Sequence, residues 1–158
     1  GLFFPNGISM SHDQSSVLVS EMMIYQISRI GLEGQSKGRR DVFADNLPGF
    51  ANNISHVTQA NDEYYWLALS APRNSDVEFL QANPFIRQML LRLPAGLLPS
   101  PEPVKYGLLV KLNHQGEIVS TFREATGEQA FMLTSAVEYL GNLYLGSIAD
   151  IGIKKYLL

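Results

Sequence analysis

The chain has 158 residues, 46% of them hydrophobic and 17% charged, with a formal charge of −3 and no cysteine. That length suits one domain burying about 70% of its unfolded surface, and an acidic balance with twelve scattered Lys and Arg gives no electrostatic footprint for a nucleic-acid partner. Without cysteine there is neither a disulfide nor a thiolate metal site, and no apolar run reaches the roughly 20 residues of a membrane-spanning helix.

Residues 2–21, LFFPNGISMSHDQSSVLVSE, set the pattern. They read as a tight turn at Pro5, Asn6 and Gly7, a short alternating strand from Ile8, a polar hairpin turn over 12–16, and a second strand over 17–20. The opening Leu2-Phe3-Phe4 leads straight into that turn without a charged start or cleavage site, as expected of a processed piece or fragment of a longer chain. Loose alternation through Ile24, Gln26, Ile27, Arg29 and Ile30 then predicts a third strand, and residues 41–44 a fourth. The basic run 37–40 reads as a solvated hairpin turn between them. Four strands joined by short turns make an antiparallel meander the size of one propeller blade.

The pattern returns at 52–70 (NNISHVTQANDEYYWLALS) and at 133–148 (LTSAVEYLGNLYLGSI), each time with a small-residue turn and a second strand that is nearly all apolar. Ile8 and Ile54 are 46 positions apart, inside the roughly 40–50-residue period of propeller repeats. Strands are expected over 54–58 and 64–69. The rhythm breaks between Ala71 and Lys105, a stretch that holds six of the eight prolines. There Ser75 or Asp76 can cap a short helix through Ala82, and Asn83-Pro84 places a capping side chain before a proline at a first helical position. Phe85, Ile86, Met89, Leu90 and Leu93 follow at helical spacing, which predicts an apolar face resting on the strands. Residues 94–103, with four prolines, return the chain to the sheet as an extended linker.

Strands over 107–113 and 117–122, about a turn at His114, Gln115 and Gly116, complete the second blade around the helical insert. Residues 135–138, 143–147 and 153–157 supply a third blade. The expected fold is therefore all-β: two four-stranded blades, a three-stranded one, and a helical insert at about 75–93. An open array of three blades leaves two uncovered faces. Ser9, Ser11, Ser15, Ser16 and Ser20 form no nucleophile elbow, and Ser70 lacks the flanking glycines. His12, His56 and His114 are far apart, with His12 and His114 in turns and His56 on a strand from which it could face a central channel.

Pro5-Asn6-Gly7 with Val17-Leu18-Val19-Ser20-Glu21, then Asp45-Asn46-Leu47-Pro48-Gly49-Phe50, then Leu143-Tyr144-Leu145-Gly146-Ser147, resemble the strictosidine synthase-like proteins. The insert, with Phe79-Leu80 and Pro84-Phe85-Ile86-Arg87, is similar to that family's adipocyte plasma membrane-associated branch. The likeness runs over essentially all of residues 1–158. It implies a six-bladed β-propeller related to the gluconolactonase and paraoxonase propellers, of which this chain would be the C-terminal half. Two such halves in a homodimer would complete one ring.

The resemblance also implies a chemistry. Lactone- and ester-hydrolysing relatives hold a divalent metal, usually Ca2+, at the top of the channel through oxygen ligands on the turns that open the innermost strands. Asn6 matches the asparagine of the motif at 5–7, and Asn52 and Asn53 stand where the family has Asp-Asn or Asp-Gly. Amide oxygens are legitimate ligands for a hard cation, although calcium sites generally include carboxylates; Glu21 is the nearest acid in sequence. The reaction implied is Lewis-acid polarisation of a small ester or lactone with water as nucleophile. The glutamate on which the synthase reaction depends is matched here by Thr134, whose hydroxyl does not ionise near neutrality, so alkaloid formation is not expected. Glu138, four residues on, is expected to be solvated. The alternative is a non-catalytic binding propeller, or an inactive fragment.

Overall fold

The computed structural model describes residues 1–59, 62–97, 105–124, 126 and 128–158. Among these residues eleven strands fall into three antiparallel sheets. The first sheet joins β1 (Pro5–Met10), β2 (Ser16–Glu21), β3 (Gln26–Gly31) and β4 (Arg40–Ala44) in chain order. The second joins β5 (Gly49–Gln59), β6 (Asp62–Pro72), β7 (Gly107–Asn113) and β8 (Ile118–Glu124) in the same way, and the third joins β9 (Leu133–Tyr139), β10 (Asn142–Ser147) and β11 (Lys154–Leu157). These are three blades of a β-propeller, two four-stranded and one three-stranded.

The apolar run of β6 shows how the blades stack. Successive strand residues point to opposite faces, and on β6 both faces are buried. Tyr65, Leu67 and Leu69 pack with Leu18, Ile27, Phe43 and Leu47 of the first blade. Tyr64, Trp66 and Ala68 pack with Leu133, Ala136, Leu143 and Leu145 of the third. A strand buried on both sides has no position for a polar residue, which explains the continuous hydrophobic stretch. The outward faces of the first and third blades differ: Ile8, Met10 and Val42 on one, and Val137, Tyr139 and Leu157 on the other, are at least 40% exposed.

The first strands of the three blades lie side by side and run in one direction. Gly7, near the start of β1, meets Asn52 near the start of β5, while Gln59 at the end of β5 bonds Glu138 near the end of β9. The polypeptide thus has a starting end, where β1, β5 and β9 begin, and a far end, where their hairpin turns lie.

Several boundaries move. β1 already begins at Pro5, and its pairing with β2 is irregular between Pro5 and Ile8, so the expected turn is a bulged strand start. β5 is eleven residues long with two irregularities, between Gly49 and Ala51 and between Ala51 and Ile54. Arg40 is not part of a solvated turn: it opens β4, and its guanidinium pairs with the fully buried Glu21 carboxylate.

The insert forms two helices, α1 (Ser75–Ala82) and α2 (Pro84–Leu90), with Asn74 capping α1 through the amides of Asp76 and Val77 and Pro84 opening α2. Here the expected packing fails. No residue of either helix is buried, and Phe79, Phe85, Met89 and Leu91 are 55% or more exposed. The apolar spacing is real, but the insert is tethered by polar contacts instead, Arg73 to Glu78 and Gln81 to the Met23 carbonyl. Most of the proline-rich linker, residues 98–103, lies outside the described residues. No described helix is long and apolar enough to cross a membrane.

Candidate functional site

The starting end is held together by backbone. A Cβ on Gly7 would sit 2.6 Å from the Asn52 carbonyl oxygen and 2.6 Å from the Asn53 Cα, closer than any side chain can be placed, so only glycine lets β1 lie this tightly on β5. Ser20, fully buried on β2, completes the joint: its hydroxyl donates to the Asn52 carbonyl at 2.5 Å and accepts from the Gly7 amide at 2.7 Å. Asn6 is therefore brought next to the Asn52-Asn53 pair by its neighbour rather than by its own side chain. Thr134 is the second residue of β9, at the same end of the third blade.

The side chains there are neutral. Asn52 is buried and Asn53 exposed, and among the described residues no hydrogen bond engages either side-chain amide. Asn6 is exposed, and its amide nitrogen lies 3.8 Å from the Met22 sulfur, a contact that leaves its carbonyl oxygen available. Uncommitted amide oxygens fit a hard cation such as calcium. Glu21 does not join them. Both its oxygens are committed: Oε2 accepts from the Phe3 amide at 2.6 Å, and Oε1 from Ser28 Oγ at 2.5 Å and from the Arg40 guanidinium. The residues present thus fit as the neutral part of an oxygen-ligand shell and supply no anionic member.

Glu138 is not solvated as expected. It accepts from Tyr64 Oη at 2.7 Å and from Trp66 Nε1 at 2.9 Å, with Gln59 as a third donor, and so clamps the third blade to the second. Burial, then the bond to Glu138, pushes the Tyr64 phenol pKa up, which keeps it a donor.

The far end collects the histidines that the sequence separates. His12, on the β1–β2 turn, and His56, late on β5, both approach Glu63 at the start of β6: His12 Nδ1 contacts Glu63 Oε2, and His56 Nε2 lies 3.5 Å from the same oxygen. His56 stacks on Tyr65 with ring centroids 5.0 Å apart, and His114 lies 5.6 Å from His12. Burial first, and His12 second, hold the His56 pKa below its ordinary 6.5 despite the nearby carboxylate. Hydrogen bonds from Ser11, then Ser15, pull the neighbouring Asp13 carboxyl down to about 2. A cavity of about 510 Å³ adjoins this end, lined by His12, Asp13, Arg29, Arg39, Tyr65 and His114 among others. His56 thus lies at the opposite end of β5 from Asn52, beside a carboxylate contributed by β6.

No protein-family model matches the chain. It is 36% identical over 150 residues to the adipocyte plasma membrane-associated protein of Danio rerio, an alignment covering 92% of this chain and 35% of that protein. The Homo sapiens protein of the same name is 31% identical over the same share of each chain. Strictosidine synthase-like 10 of Arabidopsis thaliana is 30% identical over 156 residues, 94% of this chain and 40% of its own length. The chain belongs to the strictosidine synthase-like family. It spans 35–40% of the length of these curated relatives. Within this strictosidine synthase-like chain, Thr134 is partly buried beside Gly146, whose Cβ would lie 3.6 Å from the Thr134 hydroxyl.

Proposed function

We propose that this strictosidine synthase-like chain is part of a calcium-dependent hydrolase of small esters or lactones, with Asn6, Asn52 and Asn53 as metal ligands. The observation that carries the reading is the glycine-and-serine joint at Gly7 and Ser20, which brings three amide-bearing residues to one end of adjacent first strands while the Asn52 and Asn53 amides stay free of hydrogen bonds. Calcium held there would supply Lewis-acid polarisation of the substrate carbonyl. The chain's own part is to offer neutral oxygens on a rigid backbone and to keep Ser20 from acting as a nucleophile, since its hydroxyl is committed on both sides. Water is then the acyl acceptor. An amine–aldehyde condensation is outside this reading, because Thr134 offers no base.

In this proposal residues 1–158 are the C-terminal half of a six-bladed ring. The support is the contrast between the middle blade, covered on both faces, and the exposed apolar faces of its neighbours. The anionic ligands would then come from blades beyond this chain, or from a second copy completing the ring.

The test is hydrolysis of phenyl acetate and of a simple lactone by the purified chain, with calcium and with chelator, alongside its solution mass. Calcium-dependent turnover by a species of twice 17.6 kDa supports a ring of two halves. The exposed Phe79, Phe85, Met89 and Leu91 of the insert favour a second reading, a non-catalytic module that binds through this apolar surface. Calcium binding without turnover of either substrate, in a completed ring, would decide for that reading.

A further inference from the structure

The geometry points to a second metal site at the far end of the blades, in which His12, His56 and Glu63 hold a zinc-type divalent cation. It shares no residue with the amide end and stands independently of the proposed hydrolase.

The three ligand atoms, one from each residue, all lie within 4.8 Å of one another. They converge from one turn and two strands of two blades: His12 from the turn after β1, His56 from β5 and Glu63 from β6. Two imidazoles and one carboxylate form a donor set that zinc takes in sites with an open fourth position. Bonds of about 2.0–2.2 Å at a tetrahedral angle place neighbouring ligand atoms roughly 3.4 Å apart. His56 Nε2 and Glu63 Oε2 are 3.5 Å apart, and His12 Nδ1, which touches the same oxygen, reaches ligand spacing by a rotation of its half-exposed side chain away from Glu63.

An ordinary ion pair explains this arrangement less well. His56 Nε2 is shielded from solvent and has no hydrogen-bond partner among the described residues, and Glu63 Oε2, equally shielded, is shared between His12 Nδ1 and His56 Nε2. A buried polar atom without a partner is costly, and His56 Nε2 faces the carboxylate oxygen at a distance too long for a good hydrogen bond. A cation between the two atoms satisfies both lone pairs at once. Stacking on Tyr65 fixes the plane of the His56 ring. The half-exposed His12 side chain also lines the adjoining cavity, which gives an entry path and room for water in the fourth position.

Zinc bound per chain is measured by equilibrium dialysis and elemental analysis, for the wild type and for His12→Ala, His56→Asn and Glu63→Gln, each checked for folding by circular dichroism. The expected result is one zinc per chain, weakened tenfold or more in each variant and unchanged in Asn53→Ala. Absence of stoichiometric zinc in the wild type, or binding unaffected by all three substitutions, would overturn the site. Imidazole nitrogen signals of the wild type during a zinc titration give a readout that needs no variant. Those of His12 and His56 should shift together to a one-to-one end point, and a titration that leaves both in place contradicts the assignment.

Discussion

At the starting ends of β1 and β5 the backbone of Gly7 lies on that of Asn52 and Asn53, so that Asn6 becomes their neighbour through the main chain, whereas at the far ends His12, His56 and Glu63 bring imidazoles and a carboxylate together through their side chains. The difference lies in what fixes each arrangement. Gly7 and Ser20 lock main chain to main chain, with the Asn52 carbonyl as the shared acceptor. The members of the other cluster reach one another from hairpin ends through their side chains. Substitutions of Gly7 or Ser20 should therefore act on the starting end through the fold.

The largest effect should come from removing what both ends share. Leu67 is fully buried in the core between the first and second blades, and Leu67→Ala should cost about 2–5 kcal/mol. Chemical denaturation should show this loss, and both metal affinities should fall together. Gly7→Ala separates the ends. Its Cβ must push Asn52 and Asn53 away, at about 1–3 kcal/mol; calcium binding should weaken while zinc binding at His12 is retained, as parallel titrations would show.

Acid should act selectively on the far end. The folded-state pKa of His56 is depressed, so below its ordinary 6.5 the unfolded chain takes up the proton more readily than the folded one. Stability from neutral His56 is fully present above pH 6.5 and is lost as pH falls through the depressed folded-state value. The groups facing it are His12, Glu63 and the Tyr65 ring. Melting temperature should drop across that window, and His56→Gln should flatten the profile; an unchanged slope would contradict this account. The smallest effect on stability belongs to Asn6→Ala and Asn53→Ala, both at exposed positions, which should stay within about 0.5 kcal/mol while each weakens calcium binding.

Sequence periodicity revealed the blades because blade packing is a repeating demand: β6 had to be apolar on both faces, and it reads that way. The β7 bounds, the start of the insert at Ser75 and the three-stranded last blade were legible for similar local reasons. The failures are cases where the partner lies far along the chain. Helical spacing over Phe85, Ile86 and Met89 predicts an apolar stripe but cannot show that no strand covers it. Glu138 reads as a solvated charge until Tyr64 and Trp66, more than 70 residues earlier, donate to it. Arg40 looks like part of a basic turn because its partner Glu21 lies two strands away. At the candidate sites, Asn6, Asn52 and Asn53 were found through family motifs. The His12–His56–Glu63 cluster has no spacing that announces a metal site, since its members meet only when β1, β5 and β6 are laid together.

The most direct measurement is a calcium titration of the intact chain followed through assigned asparagine side-chain amide signals, with zinc added afterwards to the same sample. Calcium should shift Asn6, Asn52 and Asn53 and leave the His12 and His56 imidazoles unmoved, and zinc should then do the reverse. If calcium leaves all three amides in place, or if both ions move the same residues, the division of the molecule into two chemically distinct ends is wrong.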